Sequence, residues 1–91
     1  MKDIIYGNVI SVVDGDTFDL QLTKIDKRNQ VQYNKEERIR LAGIDAPEIN
    51  TEKGKEAKVD LWNKISGKKA KVIIQARDTY GRLIGDCEFY N

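Results

Sequence analysis

The sequence has 91 residues, of which 40% are hydrophobic and 34% charged, and its formal net charge is +1. This balance predicts one small soluble domain over residues 1–91, excludes a disordered polyelectrolyte, and requires any attraction for nucleic acid to come from a local patch. Histidine is absent and Cys87 is the only cysteine, which excludes imidazole bases, intrachain disulfides and thiolate zinc sites. Cys87 lies in an apolar stretch and is interpreted as a buried structural thiol.

The first half of the chain has the pattern of β structure. Residues 4–13 are rich in β-branched side chains, and Asp14-Gly15 is a turn signal. Residues 17–23 alternate between apolar and polar, which predicts a half-buried strand. Residues 24–37 are polar and of mixed charge, and we interpret them as the exposed end of a long hairpin whose return strand ends at Ile44.

A helix is predicted over residues 55–66. Ala57, Leu61 and Ile65 recur at four-residue intervals, and Gly67 is positioned to end the helix. Trp62 is the largest apolar side chain available, and we expect it to anchor the helix across one end of the core.

The last third of the chain returns to strands. Residues 70–76 and 83–90 have strand-like composition, and residues 78–81 form a turn between them. The resulting order, β-β-β-α-β-β, predicts a mainly β domain with one helix, folded as a five-stranded OB-fold Greek-key barrel. No apolar run is long enough to span a membrane, and the first residues lack a signal-peptide pattern. The sequence leaves the compartment open.

Carboxylates flank two predicted turns. Asp14 and Asp16 surround a glycine, and Asp45 and Glu48 surround Ala46-Pro47. Taken singly, each is a turn cap or a solvated charge. Taken together, Asp16, Asp45 and the Ala46 carbonyl can supply the oxygen ligands that a hard cation such as Ca²⁺ prefers. We expect Asp16, Asp45 and Glu48 to crowd together, so that their repulsion is relieved by a cation.

Two arginines are candidate phosphate ligands. Arg40 precedes an apolar run on a strand predicted to be buried, and Arg82 follows the Tyr80-Gly81 turn. A guanidinium can make a two-point contact with phosphate or form an internal ion pair, and each arginine alone is compatible with either. Two arginines at one site can stabilise the negative charge that grows in the transition state of phosphodiester hydrolysis.

Three motifs in order, DGDT at 14–17, RLAGIDAPE at 40–48 and DTYGR at 78–82, resemble the staphylococcal nuclease (thermonuclease) family. The resemblance extends from about Val9 to Glu88. It implies an OB-fold, Ca²⁺-dependent phosphodiesterase that acts on DNA and RNA. The implied site residues are Asp16, Asp45 and the Ala46 carbonyl as calcium ligands, Arg40 and Arg82 on the reacting phosphate, Glu48 as the carboxylate that takes a proton from water or positions it, and Tyr80 beside the phosphate.

The sequence also departs from the family pattern. The hairpin at 24–37 is longer than in the type enzyme, and the further helices that follow the fifth strand in the family have no counterpart in these 91 residues. We therefore expect a truncated version of the family domain, with activity that depends on the missing helices.

A catalytically silent OB-fold module that binds nucleic acid or protein is the alternative function. Such a module does not require all of the predicted catalytic and metal-binding side chains, and this sequence retains every one of them: Asp16, Arg40, Asp45, Glu48 and Arg82. The expected partner is single-stranded DNA or RNA, because a shallow and nearly neutral groove favours unstacked backbone. We expect a monomer without membrane attachment. Members of the family are often secreted.

Overall fold

Five strands close into a barrel in the order β1-β2-β3-β5-β4. The computed structural model describes residues 2–91. All neighbouring strands are antiparallel except β3 and β5, which are parallel. The predicted β-β-β-α-β-β order is confirmed. The elements are β1 (Ile4–Asp14), β2 (Thr17–Ile25), β3 (Glu36–Leu41), α1 (Glu52–Ile65), β4 (Lys69–Arg77) and β5 (Leu83–Tyr90).

The barrel interior is filled by apolar side chains from all five strands and the helix. The largest fully buried side chain is Phe18, whose ring meets Phe89 edge-on at 5.5 Å between centroids. Along β3, Ile39 and Leu41 point inward, so the intervening Arg40 is directed to the outer face. This alternation is what places arginine side chains of β3 on the barrel surface.

Helix α1 packs on the barrel through one face only. Leu61 and Ile65 are buried, whereas Trp62 is 43% exposed and lies outside the core. The expectation that Trp62 anchors the helix is therefore wrong. Adjacent helical residues are rotated by about 100° around the axis, so a residue directly after Leu61 points away from the face that Leu61 buries.

The helix begins three residues earlier than predicted. The Thr51 hydroxyl accepts a hydrogen bond from the Gly54 amide at 3.0 Å, which caps the first turn. A side chain at Gly54 would collide with the Glu48 carbonyl, so only glycine lets the loop pass this close. Gly67, with φ of 74°, follows the helix end as predicted.

The predicted long hairpin is shorter and is folded back on the barrel. Strand β3 ends at Leu41, not Ile44, and residues 26–35 form a loop. The Asp3 carboxylate accepts hydrogen bonds from the Gln30 and Val31 amides and from the Tyr33 hydroxyl, the last at 2.6 Å. The bond from the Tyr33 hydroxyl is the main reason that the pKa of Asp3 is lowered. These contacts hold the loop against the start of β1.

The Cys87 side chain is half-buried, not fully buried as expected, and it packs against the core. Burial raises its pKa to about 12, so the thiol stays protonated at neutral pH. In residues 2–91 no helix is both long and apolar enough to cross a membrane.

One acidic side chain of β3 points into the barrel and is neutralised there. Glu37 is only 4% exposed, and Arg77 donates two hydrogen bonds to its carboxylate, both at 3.1 Å. Asn34 adds a backbone and a side-chain donor. The interaction connects β3 to the end of β4, close to the turn that carries the DTYGR motif.

Arg77→Gln is expected to lower the free energy of unfolding by about 1–3 kcal/mol, because a buried carboxylate loses two donors that water cannot replace. Urea denaturation followed by circular dichroism measures this change. Arg28→Gln is the matched control, since Arg28 forms a similar two-point pair with Asp26 on an exposed loop. Equal and negligible effects of the two substitutions would show that burial of Glu37 does not make the Arg77 pair important.

Candidate active site

Asp16 is the fixed point of the candidate site. It lies in the β1–β2 turn, is only 6% exposed, and its carboxylate accepts hydrogen bonds from the Thr17 hydroxyl at 2.8 Å and the Ala46 amide at 3.1 Å. The Leu41 amide donates to the Asp16 carbonyl at 2.8 Å. The β1–β2 turn is thus bonded to the end of β3 and to the loop after it. A side chain at Gly15 would overlap Ala46, which makes glycine necessary in this turn.

Asp14 and Asp16 respond differently to their shared environment. Asp14 accepts a hydrogen bond from the Asp16 amide at 3.1 Å. Burial, reinforced by the neighbouring Asp16 carboxylate, raises the pKa of Asp14. Burial also opposes ionisation of Asp16, but hydrogen bonds from its surroundings and the positive charge of Arg40 outweigh burial and lower the pKa of Asp16. The two carboxyl groups therefore have pKa values displaced in opposite directions, with the lower pKa on Asp16.

Arg40 joins the two predicted calcium ligands. Its Nη2 lies 3.7 Å from Asp16 Oδ2 and 3.7 Å from Asp45 Oδ1, and it donates a hydrogen bond to the Ile44 carbonyl at 3.2 Å. The Arg40 side chain is 26% exposed and that of Asp45 is 99% exposed. The structure thus confirms neither side chain as a ligand, but it places two carboxylates and a guanidinium at one rim of the barrel.

Arg82 is held by the turn that precedes β5. The Asp78 carboxylate accepts hydrogen bonds from Arg82 Nε at 2.7 Å and from the Arg82 and Tyr80 amides. Gly81, with φ of 86°, lets the chain reverse there. The Arg82 guanidinium lies 5.5 Å from the centre of the Tyr80 ring, which is 84% exposed. The predicted Tyr80–Arg82 unit is therefore present on the surface.

Glu48 does not join the other carboxylates. Within residues 2–91 no three acidic or cysteine side chains are grouped so that they could hold a metal ion, so the predicted crowding of Asp16, Asp45 and Glu48 is not found. The Glu48 carbonyl accepts hydrogen bonds from the Thr51 amide and hydroxyl, the latter at 2.6 Å. These bonds lead the chain into α1, and Glu48 is exposed to solvent.

Arg38 was missed by the motif-based interpretation. It lies two residues before Arg40 on β3 and is directed to the same outer face. The parallel pairing of Ile39 with Leu83 also places it beside Arg82, which precedes Leu83. The two-residue period of the strand is the sequence signal that identifies its face, but the neighbour on β5 follows only from the barrel closure.

Comparison with known proteins gives a consistent result. The model of the family described as staphylococcal nuclease homologues matches residues 38–90. The staphylococcal-like nuclease CAN1 of Arabidopsis thaliana is 44% identical over 62 residues, which is 68% of this chain and 19% of the plant protein. An uncharacterised endonuclease of Escherichia coli is 37% identical over 81 residues, which is 89% of this chain and 46% of the bacterial protein. The chain spans less than half the length of either relative.

Proposed function

The chain belongs to the staphylococcal nuclease homologue family, and from this premise we propose that it carries the barrel of a Ca²⁺-dependent nuclease. The proposed reaction is hydrolysis of phosphodiester bonds in DNA and RNA by in-line attack of water. The observation that supports it best is the meeting of Asp16, Asp45 and Arg40 at one rim, where a single guanidinium nitrogen lies 3.7 Å from both carboxylates.

The donor chemistry at this rim fits calcium. Asp16 and Asp45 offer hard carboxylate oxygens, and the Ala46 amide already bonds Asp16, so the backbone of Ala46 is adjacent. We propose Asp16, Asp45 and the Ala46 carbonyl as the residues that hold the cation. When bound, Ca²⁺ would supply Lewis acidity and orient the phosphate.

The arginines are proposed to hold the reacting phosphate. Arg40 and Arg82 are each only 26% exposed and are each paired with carboxylates, Arg82 with Asp78. These partners keep the guanidinium groups oriented before substrate arrives. In the complex the phosphate oxygens would take up guanidinium donors, and the contacts would strengthen as negative charge grows.

Glu48 and Tyr80 complete the proposed site. The Glu48 side chain is exposed, so it can accept a proton from the attacking water or orient that water. Tyr80 offers an exposed ring and hydroxyl beside Arg82. An exposed aromatic ring can stack on the unpaired bases of a single strand, whereas the bases of a duplex are already stacked on one another.

A silent nucleic-acid-binding module is the second candidate. Two observations favour it: within residues 2–91 no three acidic or cysteine side chains form a group that could hold a metal ion, and Arg82 already has a close partner in Asp78 at 2.7 Å. A binding module would retain affinity for single strands without cleaving them.

Digestion of end-labelled single-stranded DNA and RNA, with Ca²⁺ or with EDTA, separates the two functions. We expect cleavage only with Ca²⁺. We expect Asp45→Asn to abolish cleavage because it removes a proposed calcium ligand. The variant should stay folded, because the exposed Asp45 carboxylate has no core role. Asp86→Asn is the matched control, an exposed aspartate on β5 bonded to Gln75.

Thermal melts provide an independent readout of the metal. Calcium should stabilise the wild type and Asp86→Asn by about 2.7 kcal/mol at 100 times its dissociation constant, and Asp45→Asn much less. Cleavage that persists in EDTA would refute the metal requirement. Binding of single strands without any cleavage, by this chain and by a C-terminally longer version alike, would establish the silent module.

A further inference from the structure

Two shallow grooves on the outer face of the barrel share one wall. The first, of about 370 Å³, continues over β2 and β3 past Asp19, and the second, of about 300 Å³, continues toward Asp14. Arg38, Tyr80 and Arg82 line both grooves. Their shared wall therefore carries two guanidinium groups and an aromatic ring, outside the Asp16–Arg40–Asp45 cluster.

Arg38 is available for a ligand at this wall. Its side chain is 51% exposed, and its only carboxylate partner among the described residues is Asp19, at 2.9 Å across the β2–β3 pair. A half-exposed pair of this kind contributes little to stability, so its partner can be exchanged. Asp19 would not be left unsatisfied, because the Ser11 hydroxyl also donates to it at 2.8 Å.

The spacing along β3 suits a chain of phosphates. Arg38 and Arg40 point to the same face two residues apart, a step of about 6.6 Å along a strand. This step is similar to the separation of successive phosphates in an extended single strand. Arg82 lies across the parallel β3–β5 pair from Arg38. The three arginines therefore form an L, with Arg38 at its corner.

We propose that Arg38, with the exposed face of Tyr80 beside it, binds the phosphodiester next to the one that is cleaved. This inference rests on the proposed function, because Arg40 and Arg82 are taken to hold the cleaved phosphate. Arg38 exchanges its Asp19 partner for a phosphate oxygen when a single strand is bound. The residue acts in substrate binding and leaves the reacting atoms to the other two arginines.

A simple cross-strand ion pair is the competing explanation for Arg38. Such a pair would affect stability slightly and would have no influence on the binding of nucleic acid. Counterion release distinguishes the two roles. For a single strand, each phosphate contact contributes about 0.7 to the slope of log affinity against log salt concentration.

The test measures binding of fluorescent oligothymidylate by anisotropy over a series of NaCl concentrations, in EDTA to prevent cleavage. Arg38→Gln should weaken binding roughly three- to tenfold at low salt and reduce the slope by about 0.7. Arg28→Gln, which removes a similarly paired arginine from the distant 26–35 loop, should leave both unchanged. Asp19→Asn should tighten binding, because it removes the carboxylate that competes for Arg38.

Further measurements keep the outcome decisive. Arg38→Lys retains the charge and should keep the wild-type salt slope, and circular dichroism melts establish that each variant is folded. Binding of a mononucleotide, which has no neighbouring diester, should not depend on Arg38. A wild type that binds oligothymidylate while Arg38→Gln and Arg28→Gln have the same slope would overturn this inference and leave the proposed function intact. A wild type that does not bind oligothymidylate in EDTA would overturn this inference, whereas the proposed function stands or falls on cleavage with Ca²⁺.

Discussion

Arg40→Lys and Arg82→Lys are each expected to lower the turnover of phosphodiester hydrolysis by about 10²–10³-fold, which corresponds to roughly 3–4 kcal/mol for one preorganised donor. Lysine retains the charge but loses the planar, two-point contact. In the structure Arg40 Nη2 alone approaches three acceptors, from Asp16, Ile44 and Asp45. An ammonium can also approach those three acceptors, but it has no second coplanar nitrogen with which to make a two-point contact with phosphate.

Single-turnover kinetics with saturating single-stranded substrate in the active protein measure this loss. Arg28→Lys is the control, because it changes an exposed arginine far from the barrel rim. Calcium binding should survive both active-site substitutions, since neither arginine is a proposed ligand. Glu48→Gln should also slow turnover, and it should flatten the acidic limb of the pH–rate profile if Glu48 accepts the proton. If a lysine variant cleaves at the wild-type rate, that arginine is not catalytic and its role is a structural ion pair.

Phe18→Ala is expected to lower the free energy of unfolding by about 3–5 kcal/mol, enough to unfold a domain of this size. Phe18 is 0% exposed and is the largest fully buried side chain, and its edge contact with Phe89 would also be lost. Trp62→Ala removes a larger side chain but should cost less than about 2 kcal/mol, because Trp62 is 43% exposed and leaves no enclosed cavity.

Urea denaturation of the two variants side by side, followed by circular dichroism, tests this ranking. Tryptophan fluorescence serves as a second probe for Phe18→Ala, which retains Trp62. If Trp62→Ala proved as damaging as Phe18→Ala, the helix would depend on Trp62 in the manner that its size first suggested.

The class of fold, and the turns and strand ends that carry the proposed site residues, could be predicted from the sequence. Alternation in β2 identifies the face that buries Phe18 and Leu20, since strand side chains alternate strictly. The four-residue interval of Leu61 and Ile65 identifies the buried face of α1 in the same way. The turn glycines and the DGDT, RLAGIDAPE and DTYGR motifs place Asp16, Arg40 and Arg82 at turns and strand ends, which the structure confirms.

Only the tertiary structure decided which of these residues meet. Trp62 is exposed because Leu61 already occupies the face turned to the barrel, and large size does not determine orientation. Glu48 forms no metal-holding group with Asp16 and Asp45 within residues 2–91, and its carbonyl is bonded to Thr51 at the start of α1. Arg38 becomes a neighbour of Arg82 through the parallel β3–β5 pairing, a contact between segments more than 40 residues apart in the chain.

Local periodicity specifies the side of an element to which a residue points. Which residues then become neighbours depends on strand register and barrel closure, which are set by packing over the whole chain.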